Sequence, residues 1–449
     1  MSNNSFIAAV DEILPLRKLL AFGMQHVLVM AASPIASVFL MSKALGFSPA
    51  LAINLLSATF IICGLGTLLQ SFGPRGIGAR LPFIMLPGGA PIVLFILIAQ
   101  QTDLQTAAGA VILTGIFYFL LLPIFRRCLR FFPMVVVGTM LLLVSINLAQ
   151  VSGKLITGNP GSPGFGNPAN LMLAFVTIGL TVIFARVLTG MARQLSILLG
   201  LVGGAIVAAS IGAFHFDQLS LSPLVSAPSF LPFGMPKFDL LAAIPLLLFS
   251  VISMVEATGQ TIAIGEAVGK DIDKQRDVPK TIRGDALASL IGGFLGTSLI
   301  ITSGENIGII RATGVRSRFV TATSGIVLVL FGLCVPISKL ISAIPEAVVG
   351  GTGLIVFAIV GTMGIDMLRR VDLREHANMY IVAVALCIGL LPILIPGMYG
   401  QFSPNVRILL GNGVAMGAIT AALMNCLFFH VGRRQPETKN SEPHQSSAS

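Results

Sequence analysis

Apolar runs of about twenty residues recur along this chain, beginning with LLAFGMQHVLVMAASPIASVFLM, Leu19 to Met41. A run of that length crosses the hydrocarbon of a bilayer as a helix, which satisfies every backbone N–H and C=O internally where water is absent. Repetition of such runs restricts the chain to an all-α polytopic membrane fold. Composition agrees: 55% of the 449 residues are apolar and only 10% are charged, against about 25% charged in a soluble domain. The first run does not read as a signal peptide, since Asp11, Glu12, Arg17 and Lys18 precede it and no small-residue cleavage site follows. Cys63, Cys128, Cys334, Cys387 and Cys426 lie in or beside apolar segments without CxxC spacing, which implies neither a disulfide framework nor a metal site.

Spans are expected near 19–41, 48–72, 81–99, 104–124, 131–150, 168–186, 193–213, 238–265, 284–301, 304–315, 319–338, 344–365, 378–396 and 408–430, about fourteen in all. With the N-terminus in the cytoplasm, the inner loops collect most of the cations: Arg75 and Arg80, Arg126, Arg127 and Arg130, then Lys270 to Arg283, then Arg369, Arg370 and Arg374. The outer loops keep isolated ones such as Lys43, Lys154, Lys237 and Lys339. This is the positive-inside bias, and it puts both termini in the cytoplasm. The net charge of +10 is therefore topological and gives no reason to expect a nucleic-acid partner.

The stretch AFHFDQLSLSPLVSAPSFLPFGMPKFD, Ala213 to Asp239, divides the chain near its middle. An odd number of spans on either side makes the second half enter the membrane in the opposite sense, as an inverted repeat requires. The expected organisation is a cytoplasmic N-terminus (1–18), a first repeat (19–213), a periplasmic linker (214–237), a second repeat (238–430) and a disordered cytoplasmic tail (431–449). The third span, RLPFIMLPGGAPIVLF (Arg80 to Phe95), is interrupted by Pro82, Pro87, Gly88, Gly89 and Pro91; the corresponding tenth, SGENIGIIRATG (Ser303 to Gly314), is short and broken by Gly304 and Gly308. Broken segments at matching positions point to a binding site near the midplane, because unwound backbone is tolerated there only where it lines a cavity.

Few polar groups sit at membrane depth, where each ionisable one costs at least about 2.5 to 3.5 kcal/mol. In SVISMVEATGQ, Ser253, Glu256 and Gln260 share one helix face, and a carboxylate one turn from a carboxamide suits a flat ligand offering both N–H donors and C=O acceptors. Glu305 and Asn306 offer the same pair from the broken tenth segment. Backbone N–H groups at Gly88, Gly89 and Ala90 are candidate donors, unobstructed by side chains. Structural alternatives stand beside each reading. Glu256 and Glu305 would serve as protonated inter-helix contacts, His26 as a packing residue, Asp285 as the end of a cytoplasmic loop, and Gly88 and Gly89 as a helix-packing contact.

At these residues the sequence resembles the nucleobase-ascorbate transporters, also called nucleobase:cation symporters of the second type. Their signature of Gln or Glu, Asn, any residue, Gly, four residues and Thr matches ENIGIIRATG at Glu305, Asn306, Gly308 and Thr313, with Gly314 in the small position after it. Gln25-His26 matches the family's first-span pair, Glu256 its eighth-span glutamate and Asp285, in RGDALASLIGG, its ninth-span aspartate. The resemblance implies two inverted repeats of seven spans folded into core and gate domains, with short antiparallel strands in spans three and ten. It also implies proton-coupled uptake of a nucleobase by a homodimer in the bacterial inner membrane, with the proton as coupling ion and no cofactor. Under it, Glu256, Glu305, Gly88, Gly89, Ala90, Ser253 and Gln260 contact substrate, while His26, Asp285 and Asn306 assist coupling or support the site. Two positions depart from the pattern: Gly89 stands where many members carry an aromatic residue, and Gln260 where some purine carriers have an acid.

FGMPKFD (Phe233 to Asp239) and TIAIGEAVGK (Thr261 to Lys270) look like the xanthine and urate branch, whereas Glu305 in place of Gln looks like the uracil branch. A purine such as xanthine or uric acid is the favoured substrate, with uracil as the alternative within the family. Sulphate and bicarbonate carriers of the same architecture are a further alternative, but they usually lack an acidic pair at this site. An enzyme would need a nucleophile with its base or a metal cluster, and the chain has no HExxH, GxSxG or P-loop.

Overall fold

The computed structural model describes residues 9–125, 133–158, 161, 164–189, 193, 195–213, 225–303, 306, 309–310, 314–334, 343–395, 397–402, 406, 410–411 and 413–429. Its first half runs through α1 (Leu16–Met30), α2 (Ala32–Ala44), α3 (Pro49–Phe72), β1 (Ile84–Pro87), α4 (Gly89–Gln101), α5 (Leu104–Leu121), α6 (Met134–Thr157), α7 (Pro168–Val187) and α8 (Ser196–Ser210). The second half runs through α9 (Leu240–Val268), α10 (Val278–Phe294), β2 (Ile300–Ser303), α11 (Arg318–Leu333), α12 (Glu346–Arg369), α13 (His376–Leu394) and α14 (Gly413–Phe429). Eight helices among the described residues, counting Leu16–Ala44 as one, are long and apolar enough to cross a bilayer, and four shorter apolar helices accompany them.

Short polar side chains start several of these helices by accepting the N–H groups that the first turn leaves free. Ser48 caps α3 through Leu51 N, Asp103 caps α5 through Thr106 N, and Asp239 caps α9 through Leu241 N and Ala242 N. Asp103 also accepts Lys237 Nζ at 2.6 Å, and this ammonium holds its carboxyl below the usual carboxylate range. Pro34 lacks the N–H that would reach Met30 O, and the first span accordingly divides into α1 and α2 at Ala31, which keeps helical dihedrals. The ninth span starts earlier than expected: α10 begins at Val278, so Asp285 is buried inside a helix and does not end a loop. Thr281, Arg283 and Gly284 mask that helix start in the sequence, because they break the apolar run.

The helices sort into two groups. In one, α3 packs along α11, α5 along α10, α1 against α11 and α9 against α5; in the other, α6 lies along α12, α7 against α8, and α13 against α14. Glycines allow the closest crossings. A Cβ on Gly64 of α3 would lie 2.5 Å from Gly325 O, and one on Gly325 of α11 would lie 2.8 Å from Gly64 O, so the two helix backbones touch. Contact between the groups passes through α2 with α6 and α12, α4 with α6, and α9 with α14. Residues 225–239 are not a free linker. Ser229 N donates to Asn54, Leu231 N to Phe294 O, and Phe233 packs against Phe47 and Phe95; residues 214–224 lie outside the described ones.

Candidate functional site

The Pro and Gly residues of the third segment stop a helix from forming until Gly89, and the backbone before it pairs with another strand instead. β1 and β2 are antiparallel, with Ile84 opposite Ser303, Met85 opposite Thr302, Leu86 opposite Ile301 and Pro87 opposite Ile300. Gly88 N extends the ladder to Leu299 O at 3.1 Å. The strand of the tenth segment therefore lies four residues ahead of its expected start at 304. Its pairing answers the demand that every backbone group at membrane depth find a partner.

Beside this two-stranded sheet lies a cavity of about 410 Å³. Glu256 and Gln260, one turn apart on α9, form one wall with their carboxyl and carboxamide groups. Gly88, Gly89 and Ala90 form another, where α4 begins without a side-chain cap and its first N–H groups have no intrahelical partner. Phe249, Leu141 and Phe357 supply apolar surface for the faces of a flat ligand. Gln260 Oε1 is buried and finds no hydrogen-bond partner among the described residues.

Not every expected residue reaches this space. Ser253 is buried on α9 beside Tyr118 of α5, off the cavity, so the face it was expected to share with Glu256 turns toward a helix neighbour there. The reason is the offset of the i+3 step, which carries Ser253 round the helix toward α5. Asp285 stands one layer behind the cavity. Its Oδ1 accepts Thr302 N at 3.0 Å and the Thr302 hydroxyl, and Thr302 itself lines the cavity. His26 is buried with Nδ1 3.0 Å from Phe22 O, Nε2 has no partner among the described residues, and the ring does not line the cavity. Asn306 is buried as well, its amide donating to Pro82 O while its Oδ1 finds no partner among the described residues. Glu305, Gly308 and Thr313 lie outside the described residues.

Two groups of side chains escaped the sequence reading. Ser33 and Ser37 of α2 line the cavity, with Ser37 Oγ donating to Ser33 O at 2.7 Å. Their i, i+4 spacing around Pro34 was a usable signal. Gln70 of α3 is 0% exposed and its amide lies within reach of both Asp285 and Thr302; a carboxamide inside TLLQSF was the signal for it.

A family model named Xan_ur_permease and described as a permease family matches residues 17–398. The chain belongs to this family, that of the nucleobase-ascorbate transporters. It is 32% identical over 435 residues to the nucleobase transporter PlUacP of Paenibacillus larvae, covering 96% of this chain and 98% of that protein. It is 31% identical over 411 residues to the xanthine permease of Bacillus subtilis, covering 92% of this chain and 94% of the relative. Its fold is similar to the transmembrane domain of the cyanobacterial bicarbonate transporter BicA, with a TM-score of 0.60 at 18% identity over 92% of this chain and 99% of that domain. This permease is thus a multi-pass membrane transporter and not an enzyme, and its family carries nucleobases.

Proposed function

We propose that this permease imports a purine, xanthine or uric acid, together with a proton. The observation that carries the reading is the cavity, which is lined by an acid and an amide on α9, by the uncapped start of α4, and by Phe249 and Phe357. A purine dione presents alternating N–H and C=O groups on its edge and flat apolar faces, which this arrangement complements. An inorganic anion would meet the Glu256 carboxylate without its base-pairing partners, so that alternative has less support. A urate anion meets the same repulsion until an acid at the site is protonated, which links substrate and proton entry.

The transport movement is proposed as displacement of the group holding α3, α5, α9, α10 and α11 against the group holding α6 to α8 and α12 to α14. Support for an inverted repeat comes from matched packing: α3 with α11 mirrors α10 with α5, and α7 with α8 mirrors α13 with α14. With β1–α4, the β2 segment and α10 each taken as one crossing, the proposed total is fourteen, as two repeats of seven require. The proposal extends to cytoplasmic termini in the bacterial inner membrane, on the positive-inside bias, and to a homodimer. Uptake of labelled xanthine, urate, uracil and sulphate into cells tests the reading. Purine uptake abolished by a protonophore, unaffected by replacing sodium with potassium, and lowered roughly hundredfold by Glu256→Gln is the expected result. Uptake of uracil or sulphate alone, or strict sodium dependence, overturns it.

A further inference from the structure

We propose that Gln70 is a positioning residue for transport, whose amide orients the Asp285–Thr302 pair that walls the cavity. Gln70 lies in the last two turns of α3 and reaches four partners on three other segments. Its Nε2 donates toward Thr281 O at 2.9 Å and Asp285 Oδ1 at 3.3 Å on α10, and toward Thr302 Oγ1 at 3.2 Å on β2. Its Oε1 accepts Ala79 N at 3.3 Å from the turn before β1. Only one orientation of the amide is chemically allowed. Flipping it would set an oxygen against the Thr281 carbonyl and Asp285 while turning NH₂ toward the Ala79 N–H.

That orientation gives the network a direction. Gln70 donates to the Thr302 hydroxyl, so the hydroxyl proton is free to go to Asp285 Oδ1, which also receives Thr302 N. Among the described residues, the donors that reach Asp285, namely Gln70 Nε2, Thr302 N and the Thr302 hydroxyl, all end on Oδ1. A proton bound by Asp285 must therefore sit on its other oxygen if the chain of donors is to survive. Because Thr302 lines the cavity and pairs with Met85 across the sheet, Gln70 sets both the wall of the site and the sheet register from one residue behind. Thr261 Oγ1, bonded to Thr281 Oγ1 at 2.9 Å, ties the same network to the helix that bears Glu256 and Gln260.

Packing alone does not call for an amide here. A leucine would fill the volume, and a buried carboxamide is costly unless its hydrogen bonds are made. Gly284 makes room for it: a Cβ there would lie 2.4 Å from Gln70 Nε2. The remaining titratable groups near this face are Tyr118 of α5, within electrostatic reach of Asp285, and Glu256 of α9.

The test compares uptake rate, KM and pH profile for three variants in protein shown to be folded by its thermal transition. The pH readout rests on the proton-coupled reading above. Gln70→Glu keeps the shape but donates only when protonated, so its rate should fall roughly tenfold or more at neutral pH with KM within about threefold, and recover as pH falls. Gln70→Met should lose as much without acid recovery, and Gly284→Ala, which displaces the amide and adds no titratable group, should lose rate in the same pH-independent way as Gln70→Met. A wild-type rate and profile in Gln70→Glu overturns the proposal. So does loss that follows the amount of folded protein equally at every pH in all three variants, which marks a folding residue only. If the unaltered protein is indifferent to pH and protonophore, the proton-coupled reading fails, and the rate-against-KM split in Gln70→Met decides the positioning role alone.

Discussion

The seam between the two helix groups differs at its two ends. At the end bearing Lys43 and Glu346, apolar clusters run straight across it: Leu40 and Met41 of α2 join Leu155 of α6, Phe357 of α12 and Val414 of α14, and Val38 and Phe39 join Leu173, Ala347 and Val348. Lys43 Nζ also reaches Glu346 Oε1 at 2.8 Å. Toward the opposite end two further clusters each stay within one group. Val10, Leu81, Ile264 and Ile310 pack together in one, and Val135, Leu368, Ile381 and Ala421 in the other. The contrast shows which contacts a transporter can exchange. Helix association in a bilayer has no hydrophobic drive, so a seam held by side-chain packing opens at little expense when those side chains turn to other apolar neighbours. The glycine contact between α3 and α11 brings backbone against backbone and has no such alternative.

Locking the sealed end breaks the comparison most directly. With Lys43→Cys and Glu346→Cys joined by a short bifunctional thiol reagent, uptake should fall by at least roughly tenfold and return when a reductant cleaves the link. Full transport by the linked protein would mean the seam does not part there.

Next in size is the interior of one group. Gly64→Val forces a branched side chain against the Gly325 carbonyl and should lower stability by about 1–3 kcal/mol, read as an earlier thermal transition in detergent. An unchanged transition would show that α3 and α11 are as exchangeable as the seam.

The smallest effect belongs to the ion pair itself. Lys43 and Glu346 keep 39% and 53% of their side-chain surface exposed, so Lys43→Ala should cost less than about 1 kcal/mol, alter uptake by no more than about fivefold, and matter less as salt is raised. A larger, salt-independent loss would make the pair, and not the apolar packing, what seals that end.

What could be read from the sequence was local. The length of the apolar runs, the Pro and Gly residues at 87 to 91, and the one-turn spacing of Glu256 and Gln260 act through neighbouring residues, and they determined the membrane bundle, the broken third segment and the acid–amide wall. Direction of the faces was not local. Helices such as α4, α5 and α14 are apolar on nearly every side, and α2 scatters Ser33, Ser37, Ser42 and Lys43 around its circumference, so periodicity does not say which side of each meets which neighbour. Only tertiary packing decided that Ser33 and Ser37 line the same cavity as Glu256 and Gln260, and that Ser253 turns to Tyr118. It also decided that Gln70, separated from Asp285 by more than two hundred positions, lies 3.3 Å from it. Those choices follow from the close approach of helices that glycines permit, a property of pairs of segments that neither segment carries in its own sequence.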